Sequence, residues 1–167
     1  MDKQAFRKLS YGVYVVTSWG DGGKPTGCTA NSAMQVTSDP AAVAVSINHD
    51  NYTNECIKNT QRFAINILGE NSDPGIIGTF GFKSGKDNEK FNNNPTIKDY
   101  LPIVEGSIAY ITCKVTKTLE TETHTVFLGE VTGAEVTNPN DTPMTYAYYH
   151  NVIKGTSPKN APTFIED

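Results

Sequence analysis

The chain has 167 residues, 37% of them hydrophobic and 19% charged, which is typical of one globular domain and argues against a disordered segment. Its net charge of −4 and the lack of any basic block argue against nucleic-acid binding. No apolar run approaches the roughly 18 residues of a membrane-spanning helix, so we expect no membrane insertion.

Cysteine usage indicates the compartment. Cys28, Cys56 and Cys113 are odd in number, widely spaced and without a Cys-x-x-Cys pair. This pattern is typical of reduced thiols, so we expect a cytoplasmic protein. The histidines lack metal-ligand spacing, and we predict no metal site.

Hydrophobic periodicity and turn residues predict the elements of the first half of the chain. They are a short helix at 2–10, a strand at 11–18, a hairpin turn at 21–23, a returning strand and bend at 26–34, a strand at 42–48, a helix at 53–60 and a strand at 63–68. The continuous apolar run of 42–48 predicts a strand that is buried on both faces.

The second half is richer in long strands. We expect a short helix at 72–78, a long polar surface loop at 81–94, strands at 108–118 and 125–136 joined by a charged turn, a strand or helix end at 144–150, and an irregular tail at 155–164. Several strands with few helices predict a mainly β fold, an antiparallel barrel with peripheral helices. We find no linker, so residues 1–167 are expected to form a single domain.

One candidate site is the start of the helix that follows Asn51. Thr53 occupies a favourable N-cap position, and the backbone N–H groups of a helix start can bind a phosphate. Gly85 and Lys86 could bring a cation to the same phosphate on a flexible loop. An ordinary helix cap and a solvated lysine explain the same residues, so both interpretations stay open.

A second group of polar residues could contact a heterocycle. Thr29, Asn31 and Ser32 offer hydroxyl and amide groups, which could also satisfy a bulged strand. His124 opens an apolar strand, and its pKa near neutrality suits a donor to a ligand, although a surface or structural histidine fits equally. Neither common glycine-rich nucleotide motif is present, so a bound nucleotide would be held without them.

Three motifs in a fixed order carry a resemblance to a known family. They are Thr29-Ala30-Asn31-Ser32 with Asp39-Pro40 and Ser46-Ile47-Asn48, then Asn51-Tyr52-Thr53 with Phe63-Ala64-Ile65-Asn66, then the segment from Thr123 to Val131. Over nearly its whole length the chain resembles the flavin reductase-like, FMN-binding split-barrel family, above all its flavoredoxins and the flavin domain of high-molecular-weight rubredoxins.

The resemblance implies a binding site for FMN in an antiparallel split β-barrel. The residues expected to line the isoalloxazine ring are Thr29, Ala30, Asn31, Ser32, Ser46, Ile47 and Asn48. The residues expected near the phosphate are Asn51, Thr53, Gly85 and Lys86. His124 is expected beside the ring, where nicotinamide or the acceptor approaches, and Phe164 is expected to cover the ring.

The resemblance also implies an activity. We expect a homodimeric oxidoreductase that moves electrons from NADH or NADPH through FMN to free flavin, a ferric complex, a quinone, oxygen or a small redox protein. Because the sequence has no Cys-x-x-Cys pair, it carries no rubredoxin module, and the acceptor is expected to be separate. Two alternatives stay open: a flavoredoxin-like carrier reduced by a protein partner, and a flavin-binding protein without turnover.

Overall fold

The computed structural model describes residues 1–92 and 94–164. The strands are β1 (Tyr14–Trp19), β2 (Pro25–Ala30), β3 (Ala33–Ser38), β4 (Ala41–Asn48), β5 (Arg62–Ile67), β6 (Thr96–Lys98), β7 (Leu101–Ile103), β8 (Ala109–Glu120) and β9 (His124–Val136). The α-helices are α1 (Tyr52–Thr60), α2 (Pro74–Gly81) and α3 (Tyr146–Asn151), and short 3-10 helices lie at Lys3–Lys8 and Asp21–Gly23.

Seven of the strands form one antiparallel sheet in the order β2-β1-β5-β8-β9-β4-β3. The two edge strands, β2 and β3, are separated in sequence only by Asn31 and Ser32. The sheet must therefore curl until its edges approach, and a backbone bond of 3.0 Å from Ser46 N of β4 to the carbonyl oxygen of Ser32 holds the two-residue connection against β4. This open, curled sheet confirms the predicted mainly β split barrel with peripheral helices.

The core lies inside the curled sheet. Its largest fully buried side chains include Phe63, Phe127 and Ile57, and Ile57 brings α1 against the sheet. A second cluster includes Val15, Leu68, Ile77, Phe80, Met144 and Tyr149, and it packs α2 and α3 beside β1. Backbone bridges from Gly12 to Thr145 and from Gly69 to Pro143 attach the α3 region to the sheet. These contacts position the helices that flank the site described below.

The structure corrects the burial predicted for two segments. In β4, Val43 and Val45 are buried but Ala42 and Ala44 are only half-buried, because small alanine side chains lose little by partial exposure. The loop expected on the surface at 81–94 is partly buried: Lys90 is only 6% exposed, and the ring of neighbouring Phe91 packs edge-on to Phe80 at 5.2 Å.

Some element boundaries also differ from the predictions. Strand β3 and the hairpin of β6 and β7 were not expected, since strands this short give little periodic signal. The ambiguous segment at 144–150 contains the start of helix α3 at Tyr146, capped by the Thr145 hydroxyl, and the helix expected at 2–10 is only a short 3-10 helix at Lys3–Lys8. Within the described residues, no helix combines the length and apolar character needed to cross a membrane.

Candidate functional site: two adjoining clefts

Two clefts meet at one end of the sheet. The tail cleft is bounded by the ends of β2 and β4, by α2 and α3, and by the C-terminal segment 156–162. The helix cleft is bounded by the start of α1 and by residues 81–85. Both are lined by Asn51, Gly81, Phe82, Pro158 and Asn160. Because they share these residues, one elongated ligand could extend from one cleft into the other.

Most of the predicted ring-binding residues lie in the tail cleft. The residues that line it include Thr29, Ala30, Asn31, Ser46, Ile47, Asn48 and Asn51. They come together because β2 and β4 belong to opposite sides of the opening in the sheet. Their contact with a cofactor stays a prediction.

The C-terminal segment occupies the polar side of the tail cleft. Asn31 Nδ2 donates to Thr163 Oγ1 at 2.8 Å, and Asn48 Nδ2 donates to the Asn160 carbonyl at 3.0 Å. Asn31 Oδ1 also accepts a bond of 2.9 Å from the Ser32 hydroxyl, which orients the amide. Two amides that were predicted to face a ring are thus engaged by the chain's own tail.

This arrangement leaves little room. With segment 156–162 in place, the tail cleft has a volume of about 70 Å³, whereas the helix cleft has about 270 Å³. Small-molecule pockets are usually about 300–1,000 Å³. A tricyclic ring could therefore enter the tail cleft only if this segment moved outward.

Helix α3 holds the tail through hydroxyl groups. Thr163 Oγ1 donates to the Tyr146 hydroxyl at 2.7 Å, and Tyr146 is also bonded to Ser157. The Ser157 hydroxyl lies 3.2 Å from Nε2 of His150, whose pKa is lowered, mainly by burial. Sequence reasoning missed the contribution of α3, although the cluster of aromatic residues at 146–149 was a usable signal.

The helix cleft contains the predicted phosphate position with one correction. Asn51, with extended backbone angles, is the N-cap of α1, whereas Thr53 lies inside the first turn and is only 2% exposed. Both residue types are good caps, so the sequence could not separate them. The Asn51 side chain makes no capping bond, and the first turn of α1 borders the cleft. A helix start of this kind favours an anion.

The loop after α2 forms the opposite wall of the helix cleft. Gly85 lines it and packs so closely on the Thr26 hydroxyl that a Cβ atom would overlap it. The hydroxyl oxygen of Thr26 is buried without a hydrogen-bond partner in the described chain. Cys28 also lines this cleft, and burial raises its pKa to about 11, so the thiol stays protonated at neutral pH.

His124 lies near the tail cleft without lining it. It pairs with Asn48 across β4 and β9, and directly opposed residues of an antiparallel pair project from the same face. Its Nδ1 lies 2.8 Å from the Thr123 hydroxyl, and its Nε2 is buried with no partner among the described residues. Burial, and to a lesser extent His49, lowers the pKa of His124, which keeps the ring neutral at neutral pH.

Three other predicted residues also lie outside the lining of both clefts. Ser32 acts on the tail cleft through Asn31, and Lys86 is exposed on the loop, with its amide donating to Ser84 Oγ at 3.2 Å. Phe164 is half-buried, and its amide donates to the Ala161 carbonyl at 3.0 Å. Sequence reasoning missed Phe82, an aromatic side chain that is 54% exposed where the clefts meet.

The donor set fits a flavin mononucleotide. Amides and hydroxyls at the tail cleft suit the polar edge of a ring, and the α1 start suits a phosphate. Two further features agree with a bound ligand. His124 Nε2 is a buried polar atom without a partner among the described residues, and Gly85 packs so closely on Thr26 that the wall of the helix cleft at this point is backbone alone.

The curled antiparallel sheet and its two clefts place the protein among the split-barrel proteins. The family model for the flavin reductase like domain matches residues 6–157. The chain belongs to this family, which confirms the resemblance found in its sequence.

Several known proteins are similar to this chain. High molecular weight rubredoxin of Moorella thermoacetica is 42% identical over 167 residues, which cover 98% of this chain and 72% of that protein. Ferric-chelate reductase (NAD(P)H) of Archaeoglobus fulgidus is 38% identical over 169 residues, covering 99% of both. The structure of NADH:FAD oxidoreductase SgcE6 of Streptomyces globisporus C-1027 aligns with a TM-score of 0.76 and 25% identity, over 86% of this chain and 85% of that one.

Proposed function

We propose that this protein is an FMN-dependent oxidoreductase of the flavin reductase type, acting as a single domain. It takes electrons from NADH or NADPH and passes them to a separate acceptor. The observation that carries the proposal is the meeting of two clefts in a chain of this family: one at the ends of β2 and β4, with amides and hydroxyls along one side, and one at the start of α1. A bound flavin supplies the redox chemistry, namely acceptance of a hydride and release of electrons.

The chain's own residues bind and orient the flavin. Asn31 and Asn48 hold the polar edge of the ring, while Ser46 and Ile47 form the neighbouring surface of β4. The start of α1, with Gly85 and Lys86 on the facing loop, holds a terminal phosphate. FMN carries one terminal phosphate, and the helix cleft of about 270 Å³ adjoins the tail cleft, so such a ligand could extend across both.

His124 orients the incoming nicotinamide or acceptor. Its neutral ring offers Nε2, which has no partner in the described residues, and Thr123 fixes the ring through Nδ1. The Archaeoglobus relative is named a ferric-chelate reductase that uses NAD(P)H, which favours a ferric complex among the candidate acceptors.

A second candidate function is an electron carrier reduced by a protein partner. The observation that favours it is the similarity to a high molecular weight rubredoxin, of which this chain covers 72%. In that case pyridine nucleotides would not reduce the bound flavin.

The homodimer is also part of the proposal. An apolar cleft of about 300 Å³ lies on the sheet, lined by Tyr14, Met34, Val43, Ile111 and Val131 among others, with Gln35 as the polar member. Met34 is 65% exposed and neighbouring Val36 is 45% exposed. A second copy of the chain would cover this surface. The three free, buried cysteines support a cytoplasmic location.

One series of measurements tests these functions. The purified protein, loaded with FMN, is mixed anaerobically with NADH or NADPH, and flavin reduction is followed by absorbance. Steady-state oxidation of each nucleotide is then measured with added FMN, and with a ferric chelate. Reduction and turnover support the reductase. If FMN binds but neither nucleotide reduces it, the electron carrier is supported. If protein partners also fail to reduce the bound FMN, a flavin-binding protein without turnover is supported. A protein that takes up no FMN contradicts the whole proposal.

A further inference from the structure

Lys90 is a buried ammonium group beside the helix cleft. Its side chain is almost fully covered, with the residue only 6% exposed. Its Nζ donates to the Thr79 carbonyl at 2.6 Å and to the Lys83 carbonyl, and it lies 5.6 Å from the centroid of the Phe80 ring. Among the described residues, no carboxylate forms an ion pair with it.

Such an arrangement is unfavourable in isolation. Burying a charge without a counter-charge carries a large desolvation cost, which hydrogen bonds to carbonyl groups offset only in part. Burial is the main reason that the pKa of Lys90 is lowered to about 8; Cys28 partly offsets this effect, and nearby Lys83 adds to it. Because burial of the Lys90 ammonium group carries this desolvation cost, we expect its hydrogen bonds to stabilise a particular local conformation.

The two carbonyl partners show which conformation that is. Thr79 lies in the last turn of α2, Lys83 lies near the start of the following loop, and Lys90 lies near its end. Within the loop, the amide groups of Asn88 donate to the Ser84 carbonyl at 3.1 and 2.9 Å. One side chain therefore closes loop 82–91 onto the helix from which it departs.

This loop is the wall of the helix cleft. Lys83, Ser84 and Gly85 line the cleft opposite the start of α1, whereas Lys90 lies behind them and lines a separate depression on the other side. Any effect of the ammonium group on the cleft would therefore pass through the backbone of the loop.

We propose that Lys90 is a positioning residue that holds loop 82–91 against the start of α1 and thereby sets the protein's preference for a flavin with a terminal phosphate. The inference rests on the proposed function. It adds a residue that lines neither cleft of the site and that acts on phosphate recognition from behind the wall.

The test compares FMN with riboflavin, which lacks the phosphate. Dissociation constants for both flavins are measured by fluorescence quenching for the parent protein, Lys90→Met and the control Lys117→Met, which removes an exposed lysine of β8. We expect Lys90→Met to weaken FMN binding at least tenfold while riboflavin binding changes less than twofold. Lys117→Met should leave both constants unchanged.

Two further outcomes are decisive. If the parent binds neither flavin, the proposed function fails. If the parent prefers FMN and Lys90→Met keeps that preference, the positioning role fails even though the function stands. Should Lys90→Met not fold, Lys90→Gln is tested instead, because it retains N–H donors without the charge. The difference in binding free energy between FMN and riboflavin should then stay above half of the parent's value. If neither variant folds, Lys90 supports the whole fold and its loop-specific role is overturned.

Discussion

The side-chain nitrogen of Asn31 lies 2.8 Å from the Thr163 hydroxyl, although 132 residues separate the two positions. The same amide is expected to face the flavin ring. A flavin ring that bound at this position would therefore compete with the tail for the Asn31 amide.

Thr163→Val should relieve this competition. The variant removes the acceptor and keeps the shape, so FMN binding should tighten by about two- to tenfold, the range of a net hydrogen bond of about 0.5–1.5 kcal/mol. Asn31→Ala should weaken FMN binding instead, because it removes the amide with which the flavin ring is expected to bond. Calorimetric titration with FMN distinguishes the two directions. Weaker binding by Thr163→Val would mean that the tail contributes to the bound state.

Removing the phosphate contacts should weaken FMN binding selectively. Thr53→Ala and Lys86→Ala should each reduce FMN affinity, since a hydrogen bond to a charged group contributes about 1.5–3 kcal/mol, or about 10- to 150-fold. Because the Thr53 side chain is buried, Thr53→Ser is its matched control and should retain most of the affinity. Titrations with riboflavin should be unaffected. If both alanine variants bind FMN as the parent does, the phosphate lies elsewhere.

His124→Ala should slow reduction of bound FMN by NADH or NADPH more than it weakens FMN binding. Hydride transfer depends on the orientation of the nicotinamide, and loss of one orienting group should lower the rate about tenfold. Lys117→Ala is the control, because Lys117 is exposed on β8 and lines neither cleft. Stopped-flow absorbance gives the rates. An unchanged rate with a lower melting temperature would indicate that His124 is structural.

The apolar cleft on the sheet should be a dimer interface. Light scattering of the parent at micromolar concentration should give twice the chain mass of 18.2 kDa. Met34→Asp should shift the protein towards monomer, because a carboxylate would be buried without a partner. Leu119→Asp changes an equally exposed apolar residue on β8 and should leave the mass unchanged. A monomeric parent would exclude this assembly.

The buried ammonium of Lys90 should also affect the pH dependence of stability. Its folded-state pKa is about 8, below the ordinary 10.5, so the unfolded chain binds more protons between these values. The contribution of Lys90 to the free energy of unfolding should therefore rise with pH across that window. The titratable groups that face Lys90 are Cys28 and Lys83, and both remain in Lys90→Met, so the comparison isolates the titration of Lys90. Urea unfolding at pH 7.5 to 10 should show the variant losing stability relative to the parent. Parallel curves would contradict this.

The main elements could be predicted because their local signals agree with the fold. The alternation in β8 and β9 and the glycine turn at 21–23 each determine an element without reference to distant residues. Residues 29–32 and 46–48 could be associated only by family resemblance, since nothing local indicates that the end of β2 and the end of β4 lie at one opening of the sheet.

Lys90 and the tail could not be predicted for a related reason. A lysine in a polar segment is usually solvated, and its burial here depends on carbonyl groups from α2 and from the loop start. Likewise, Asn160 and Thr163 gain their role from amides more than 100 residues away. Hydrogen bonds between distant segments leave no periodic pattern in a sequence.

The closure of the sheet through Asn31 and Ser32 has a consequence for folding kinetics. Strands that are neighbours in sequence are at opposite edges, so the clefts form only after the intervening strands have paired. Non-local pairing of this kind is slow, and flavin binding should be among the last signals to recover during refolding. A ligand that binds only the finished barrel then stabilises it by mass action, by about 2.7 kcal/mol when its free concentration is 100 times its dissociation constant. Bound flavin should therefore protect the chain from a protease that cleaves only its unfolded form.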